Sequence, residues 1–302
     1  MSLNRRDFIR LSGLGTASLL LSDPLRLLAQ GRRAEFTPLR RNVGIFTERG
    51  GTIGWLINDD GVVIVDSQFP DTAELLIEGV RQRTRRPIDV LINTHHHPDH
   101  SGGNIAFRGV AREIVAHSRS AANQREVARA RGNEAEQEFP STTFDTEWSV
   151  AVGDETVRVK YYGPAHTGGD VAIFFENANV VHLGDLLNNR GYPNIDVPAG
   201  ASVGGWIRVL ETVAPEYPPD ALYIFGHAGE GFPLTGTRDD LFHQRDYFLG
   251  LLDAAARAIR DGRTREQLIA MQQLPAFEHF GGTHSRLGLG LGIAYDEMMA
   301  AR

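Results

Sequence analysis

The chain has 302 residues, 41% hydrophobic and 23% charged, with a formal net charge of −7 and no cysteine. That length holds one large domain or two small ones, and the composition is that of an ordinary globular protein. A negative balance with no basic stripe argues against a nucleic-acid partner, and the missing cysteines rule out disulfides and cysteine-bound structural zinc.

At the N-terminus, Asn4-Arg5-Arg6-Asp7-Phe8-Ile9-Arg10 is a charged segment with an arginine pair, and an apolar run follows over residues 11–21. The run is too short to span a bilayer as a helix, which needs about 20 residues. Gly13 and Gly15 speak against an ordinary amphipathic helix, because glycine costs roughly 1 kcal/mol in a helix interior. The pattern reads as a secretory signal over residues 1–30, with Leu28-Ala29-Gln30 nearest the cleavage site, leaving a single domain over 31–302 with a helical C-terminal tail. The arginine pair resembles that of twin-arginine export signals. The resemblance implies passage through the twin-arginine export machinery as a folded protein, and a periplasmic location.

From Asn42 the pattern is β. Residues 43–47, 51–57 and 62–66 are β-branched or aromatic runs, and Asn58-Asp59-Asp60-Gly61 is a hairpin signal. Pro70-Asp71-Thr72 opens a helix with an acidic first turn, and residues 88–92 form the next strand. Residues 113–116 read as a short strand and 118–131 as an arginine-rich exposed helix. Residues 148–152 and 156–162 alternate as strands around Gly153-Asp154, and 171–175 pairs with 179–183. A loop rich in Gly, Pro and Asn over 188–205 precedes a helix beginning near Gly205. Tyr192, Ile195 and Trp206 mark it as a pocket wall. Helices over roughly 238–260 and 264–271, and a glycine-bearing segment after Ser285, fill the tail. Strand-strand-helix-strand order supports a layered α/β domain.

The strand over 88–92 runs into Thr94-His95-His96-His97-Pro98-Asp99-His100-Ser101-Gly102-Gly103-Asn104. Three histidines and a carboxylate with the spacing H-x-H-x-D-H, held at a strand end, suggest ligands converging on metal. Alternate residues in a tight loop can point the same way, so His95 and His97 can share one ion while Asp99 and His100 face a second. Three more candidates stand where strands end in glycine-bearing loops: His166 in Gly163-Pro164-Ala165-His166-Thr167-Gly168-Gly169-Asp170, Asp185 after Gly184, and His227 after Gly226. The other histidines read as structural. His96 is expected to point away and hydrogen-bond behind the ligands, and His182 to pack on the face opposite Asp185. His117 reads as ordinary surface and His243 as helical, with His279 and His284 beside the pocket rim rather than in it.

The loop resembles the signature of the metallo-β-lactamase superfamily, in a version similar to that of glyoxalase II. The resemblance spans about residues 40–230 and fills seven ligand positions in order. It implies a four-layer αββα sandwich and two zinc ions. His95, His97 and His166 would bind the first, Asp99, His100 and His227 the second, and Asp185 would bridge them. Imidazole and carboxylate donors suit zinc. Paired ions sit roughly 3.5–4 Å apart and share a water whose pKa falls to about 7, so hydroxide is available without a separate strong base. Asp99 would both bind metal and orient that hydroxide.

The reaction expected is hydrolysis of a small-molecule substrate at an activated carbonyl: a β-lactam, lactone, ester or thioester. An export signal conflicts with the cytoplasmic glutathione thioester of glyoxalase II and favours a β-lactam. Asp185 departs from the cysteine or non-bridging serine of the commonest zinc β-lactamases. A non-catalytic periplasmic metal-binding or cofactor-handling protein of the same fold is the alternative.

Overall fold

The computed structural model describes residues 34–282 and 284–301. The export-signal segment, residues 1–30, lies outside them. The first sheet opens as an antiparallel meander: β1 (Glu35–Arg40), β2 (Val43–Thr47), β3 (Ile53–Ile57) and β4 (Val62–Val65). The turn expected at Asn58 closes β3 onto β4, with Asn58 Oδ1 accepting from the Asp60 and Gly61 amides, 2.9 Å each. After β4 the chain changes to parallel pairing. Helix α1 (Pro70–Arg83) returns it to β5 (Ile88–Asn93), which is followed by the single turn α2 (Pro98–Ser101) and a 3-10 segment (Gly102–Phe107). Next come β6 (Ala111–His117), α3 (Ser118–Arg131) and β7 (Thr142–Phe144), in a sheet ordered β1 to β7.

The second half supplies β8 (Glu147–Val152), β9 (Glu155–Tyr161), β10 (Val171–Phe175), β11 (Val180–His182) and β12 (Asn188–Asn189), then α4 (Val203–Glu216). It ends with β13 (Leu222–Ile224), β14 (His227–Ala228), β15 (Thr235–Gly236), α5 (Arg238–Arg260), α6 (Arg265–Ile269) and α7 (His284–Ala300). The second sheet runs β15-β13-β11-β10-β9-β8, and β12 pairs with β14 apart from it.

Two-residue periodicity makes the layers. Along β4, Val63 and Val65 face the second sheet in a core shared with Val159, Val171, Ile173 and Ile224. Val62 and Ile64 face the other way, onto Ala73, Leu76, Ile77 and Val80 of α1. On the far side of the second sheet, Ala172, Val181 and Tyr223 pack with Trp206 and Leu210 of α4, Phe248 and Leu251 of α5, and Leu287 and Leu291 of α7. The order is therefore helix, sheet, sheet, helix: the expected αββα sandwich. Strands buried on both faces explain the near-continuous apolar runs at β4, β5 and β10. Each such valine, isoleucine or leucine contributes about 1.5–3 kcal/mol on burial. Sequence reading places the first strand at Val43; β1 adds an antiparallel edge before it, half exposed and containing Pro38.

Candidate metal centre

The loop after β5 is pinned on every side. The amides of His100 and Ser101 donate to His97 O at 3.0 and 2.9 Å, forming α2, which starts at Pro98. Ser67 N donates to His100 O at 2.7 Å and Gly51 N to Asp99 O at 3.0 Å, tying the loop to neighbouring strands. Asn104 and Asn93 exchange amide hydrogen bonds of 2.8 and 3.0 Å, joined by Gln124 of α3 at 3.1 Å. Gly103 lies so close to Ser67 that a Cβ would sit 2.1 Å from its carbonyl oxygen, so no larger residue fits.

All seven residues expected at the site converge. His95, His97, His166 and Asp185 place one donor atom each within 4.8 Å of one another, and Asp99, His100 and His227 form a second such group. Asp185 lies between them. Its Oδ2 is 3.5 Å from His166 Nε2, while its Oδ1 is 3.0 Å from His100 Nε2 and 3.5 Å from His227 Nε2. Gly226 keeps that position open, since a Cβ there would meet Asp185 Oδ1 at 2.1 Å. Asp99 Oδ2 is 3.0 Å from His227 Nε2.

The outward ring nitrogens decide what this cluster can hold. His100 Nδ1 donates to Asp66 Oδ2 at 2.7 Å, His97 Nε2 to Asp196 Oδ2 at 2.8 Å, and His166 Nδ1 to Asn194 O at 2.7 Å. His95 Nδ1 donates to Thr94 Oγ1 at 3.0 Å, and that hydroxyl passes its own proton to Asp66 Oδ2 at 2.8 Å. Tautomers assigned from these acceptors leave the lone pairs of neutral rings pointing inward. His166 Nε2 then faces His97 Nδ1 at 2.9 Å, lone pair to lone pair, and His95 Nε2 is buried with no hydrogen-bond partner. A cation among these atoms relieves both features, so the donor set fits a divalent metal.

Electrostatics agree at His95, His166 and the two carboxylates. Burial pushes the His166 pKa down to about 4 and lowers that of His95 well below its ordinary value, so both rings are neutral at pH 7. Burial alone would raise Asp99, but the hydrogen bond from His227 and the nearby His100 outweigh it and hold its carboxyl at about 2. Asp185 is likewise held well below the carboxylate range, His227 and His100 overcoming its burial. His100 moves the other way: Asp185 and Asp66 overcome its burial and raise it well above the usual histidine value.

Two residues that sequence reading does not single out complete the arrangement. Asp66, fully buried after β4 with a left-handed φ of 68°, accepts from Thr94 N at 2.7 Å as well as from Thr94 Oγ1 and His100. Asp196 sits in the loop before α4 and orients His97. The signal that finds them is the demand of each ligating imidazole for an outer acceptor. Of the three structural histidines nearby, two differ in detail from expectation. His96 is buried but 3.6 Å from Asp196, beyond a hydrogen bond, and its Nδ1 has no partner. His117 is buried rather than superficial, accepting from Arg119 N at 3.2 Å and stacking on Tyr161. His182 packs as expected, its Nε2 donating to Thr52 O at 3.0 Å and its Nδ1 accepting from Gly184 N at 3.1 Å.

His97, Asp99, Asp185 and His227 open onto a cavity of about 710 Å³, walled further by Tyr192, Asn194 and Arg286. Gly281 and Gly282 also reach it, through a main-chain bridge between Gly191 and Gly281. Trp206, expected near the pocket, lies in the core behind His166.

Fold and site together define a two-sheet α/β protein with a cluster of histidines and aspartates able to ligate metal at the sandwich edge. The chain belongs to the metallo-beta-lactamase superfamily, whose family model matches residues 47–227. It is 28% identical over 217 residues to metallo-beta-lactamase type 2 of Bacillus cereus, covering 69% of this chain and 80% of that one. It is 25% identical over 191 residues to a probable metallo-hydrolase of Methanocaldococcus jannaschii, covering 60% and 89%. Among solved structures, a metallo-beta-lactamase from Pontibacter korlensis shares the fold, with a TM-score of 0.59 at 22% identity over 72% of this chain and 99% of that one.

Proposed function

We propose that the protein is a periplasmic di-zinc hydrolase that opens an activated carbonyl in a β-lactam, lactone, ester or thioester. The observation that carries this reading is the set of inward lone pairs and carboxylate oxygens around an open cavity. His95, His97 and His166 would hold one ion, Asp99, His100 and His227 the other, and Asp185, with one oxygen toward each group, would join them. When bound, zinc supplies an activated water and a Lewis acid. The protein's own part is positional. Asp66, Thr94, Asp196 and the Asn194 carbonyl fix the tautomers. Asp99, ionised and facing the cavity, is placed to orient a nucleophilic water and take its proton. Tyr192, Asn194 and Arg286 are placed to hold the substrate.

A structural metal site is usually closed, whereas this one opens onto space of substrate size, which favours catalysis over a metal-storing or cofactor-handling role. β-Lactams come first for testing because several relatives bear the name metallo-beta-lactamase. The test is hydrolysis of a chromogenic cephalosporin by the zinc-loaded protein, with and without chelator. Chelator-sensitive turnover near or above ~10⁴ M⁻¹s⁻¹ in kcat/KM supports a β-lactamase. Much slower turnover moves the substrate to lactones and thioesters, and no hydrolysis of any of these by metallated protein would overturn the reading.

A further inference from the structure

A second depression adjoins the metal cavity. It is a groove of about 870 Å³ between the 194–202 loop and α7, lined by Ile195, Val197, Pro198, Leu289 and Ile293 among others. Two observations set cavity and groove side by side. Asn194 lines both. Arg286 lines the cavity, while Leu289 and Ile293, three and seven residues further along α7, line the groove. That spacing places the three on one helix face.

Asn194 apart, the polar side chains along the groove are already engaged. Asp196 accepts from His97 at 2.8 Å, and Ser202 Oγ from Gly205 N at 3.1 Å. Glu297 accepts from Val203 N and Gly204 N at 2.7 and 3.1 Å, and Asp296 from Arg265 Nε at 3.0 Å. What remains for an occupant is apolar surface, and Val197 and Leu289 stand 47% and 45% exposed on it. The groove also depends on α7, which lies beyond the family-matched residues 47–227. One of its two walls therefore lies outside the family-matched residues.

We propose that the groove is a specificity subsite for an unbranched acyl or alkyl chain of the substrate, whose reactive carbonyl lies at the metal centre. The inference rests on the hydrolase reading. From Arg286 to Ile293 the helix rises about 10 Å, so a medium-length chain reaches from the cavity to the groove's middle. A chain laid there loses water contact along its length, and each buried methylene strengthens binding up to about fourfold.

Calorimetric titration of butanoate, octanoate and dodecanoate into the zinc-loaded full chain tests this, beside turnover of the matching p-nitrophenyl esters. Affinity should climb steeply from butanoate to octanoate. The double variant Val197→Glu/Leu289→Glu, altered at exposed positions and checked for unchanged thermal melting, should flatten that climb. Affinity independent of chain length, or a climb untouched by the double variant, overturns the proposal. So does concentration-dependent dimerisation that the double variant abolishes, because a second copy would then cover the groove. Chain-length-dependent binding without any ester, lactone or β-lactam turnover would sink the hydrolase reading and leave the groove. Turnover with flat chain dependence would do the reverse.

Discussion

Asp66→Asn isolates the outer support of the centre while sparing the fold. Asn is isosteric with Asp and tolerates left-handed φ at least as well, so the 68° backbone is kept. Thr94 N, 2.7 Å from Asp66 Oδ1, can only donate, so the new amide must keep its oxygen there. The NH₂ group then falls where Oδ2 was, 2.7 Å from His100 Nδ1 and 2.8 Å from Thr94 Oγ1. Donor meets donor at His100. The ring escapes by moving its proton to Nε2, the nitrogen that faces Asp185 at 3.0 Å and that a metal would need. Loss of such an outer partner costs about 10–100-fold in metal affinity, or about 1.4–2.7 kcal/mol. The group of Asp99, His100 and His227 should weaken by that factor. The group of His95, His97 and His166 should weaken less, because the Thr94 hydroxyl can still accept from His95 Nδ1. Competition with a chromophoric chelator, read as zinc bound per chain, separates the two. Two ions held with parental affinity by Asp66→Asn would refute the tautomer argument.

Asp99→Ala should lower kcat by about 10²–10⁴-fold, and Asp185→Ala should cost bound zinc as well; full metal content and full turnover in both would show the site assignment to be wrong. For the metal-free protein, acidification from pH ~6.5 to ~4 should steadily lower the melting temperature. His95, His96, His166 and His182 all have folded pKa values below the unfolded one, so the unfolded chain takes up protons that the fold refuses. Each contributes up to about 1.4 kcal/mol per pH unit. Asp170, pushed up to about 7 by burial, opposes them. So do His100 and His227, raised by Asp185 against their burial, but only near pH ~6.5, where their unfolded counterparts still take up protons. The four lowered rings outweigh these, so a flat profile would contradict the buried, neutral rings. Replacing Arg5 and Arg6 by Lys should leave the chain in the cytoplasm on fractionation, and unchanged export would remove the twin-arginine assignment. Chelation should lower the melting temperature without unfolding the protein at 25 °C, and loss of near-UV circular dichroism on chelation would show that metal is needed to fold.

Most of the frame was legible because it depends on local pattern. The runs at β2 to β5 and the ligands at strand ends are marked by β-branched residues, glycine and clustered imidazole within a few positions. What escaped depends on distant partners. β1 carries Pro38 and no clean alternation, and it is a strand only because β2 pairs with it. α3 looks solvated from its arginines, yet its buried face is made of Ser120, Ala121, Asn123, Gln124 and Ala128. Gln124 of that face donates to Asn93 of the Asn93–Asn104 pair and Asn123 to the Ala199 carbonyl, so the buried face is partly polar and leaves no apolar stripe in the sequence. Asp66 meets His100 and Asp196 meets His97 across 34 and 99 residues. Nothing beside either aspartate marks it as a partner of histidine.

The same long-range contacts tie the two halves of the centre together through the protein's own groups. Around the site protein hydrogen bonds join the two sheets: Thr52 N to Gly226 O at 2.9 Å, Val171 N to Thr94 O at 3.1 Å, and His182 Nε2 to Thr52 O at 3.0 Å. Thr52 and Thr94 belong to the first sheet's side, and Gly226, Val171 and His182 to the second. Behind these bonds lies the shared core from Val63 and Val65 to Ile173 and Ile224, whose burial does not involve the ligands. Metal binding therefore need not supply the folding free energy, as it does in a small zinc-dependent domain. Its work would be local: to neutralise the inward lone pairs and carboxylates that the fold brings together. A scaffold that holds its donors in advance can leave one side of the centre open to substrate, and here the open side faces the cavity beside α7.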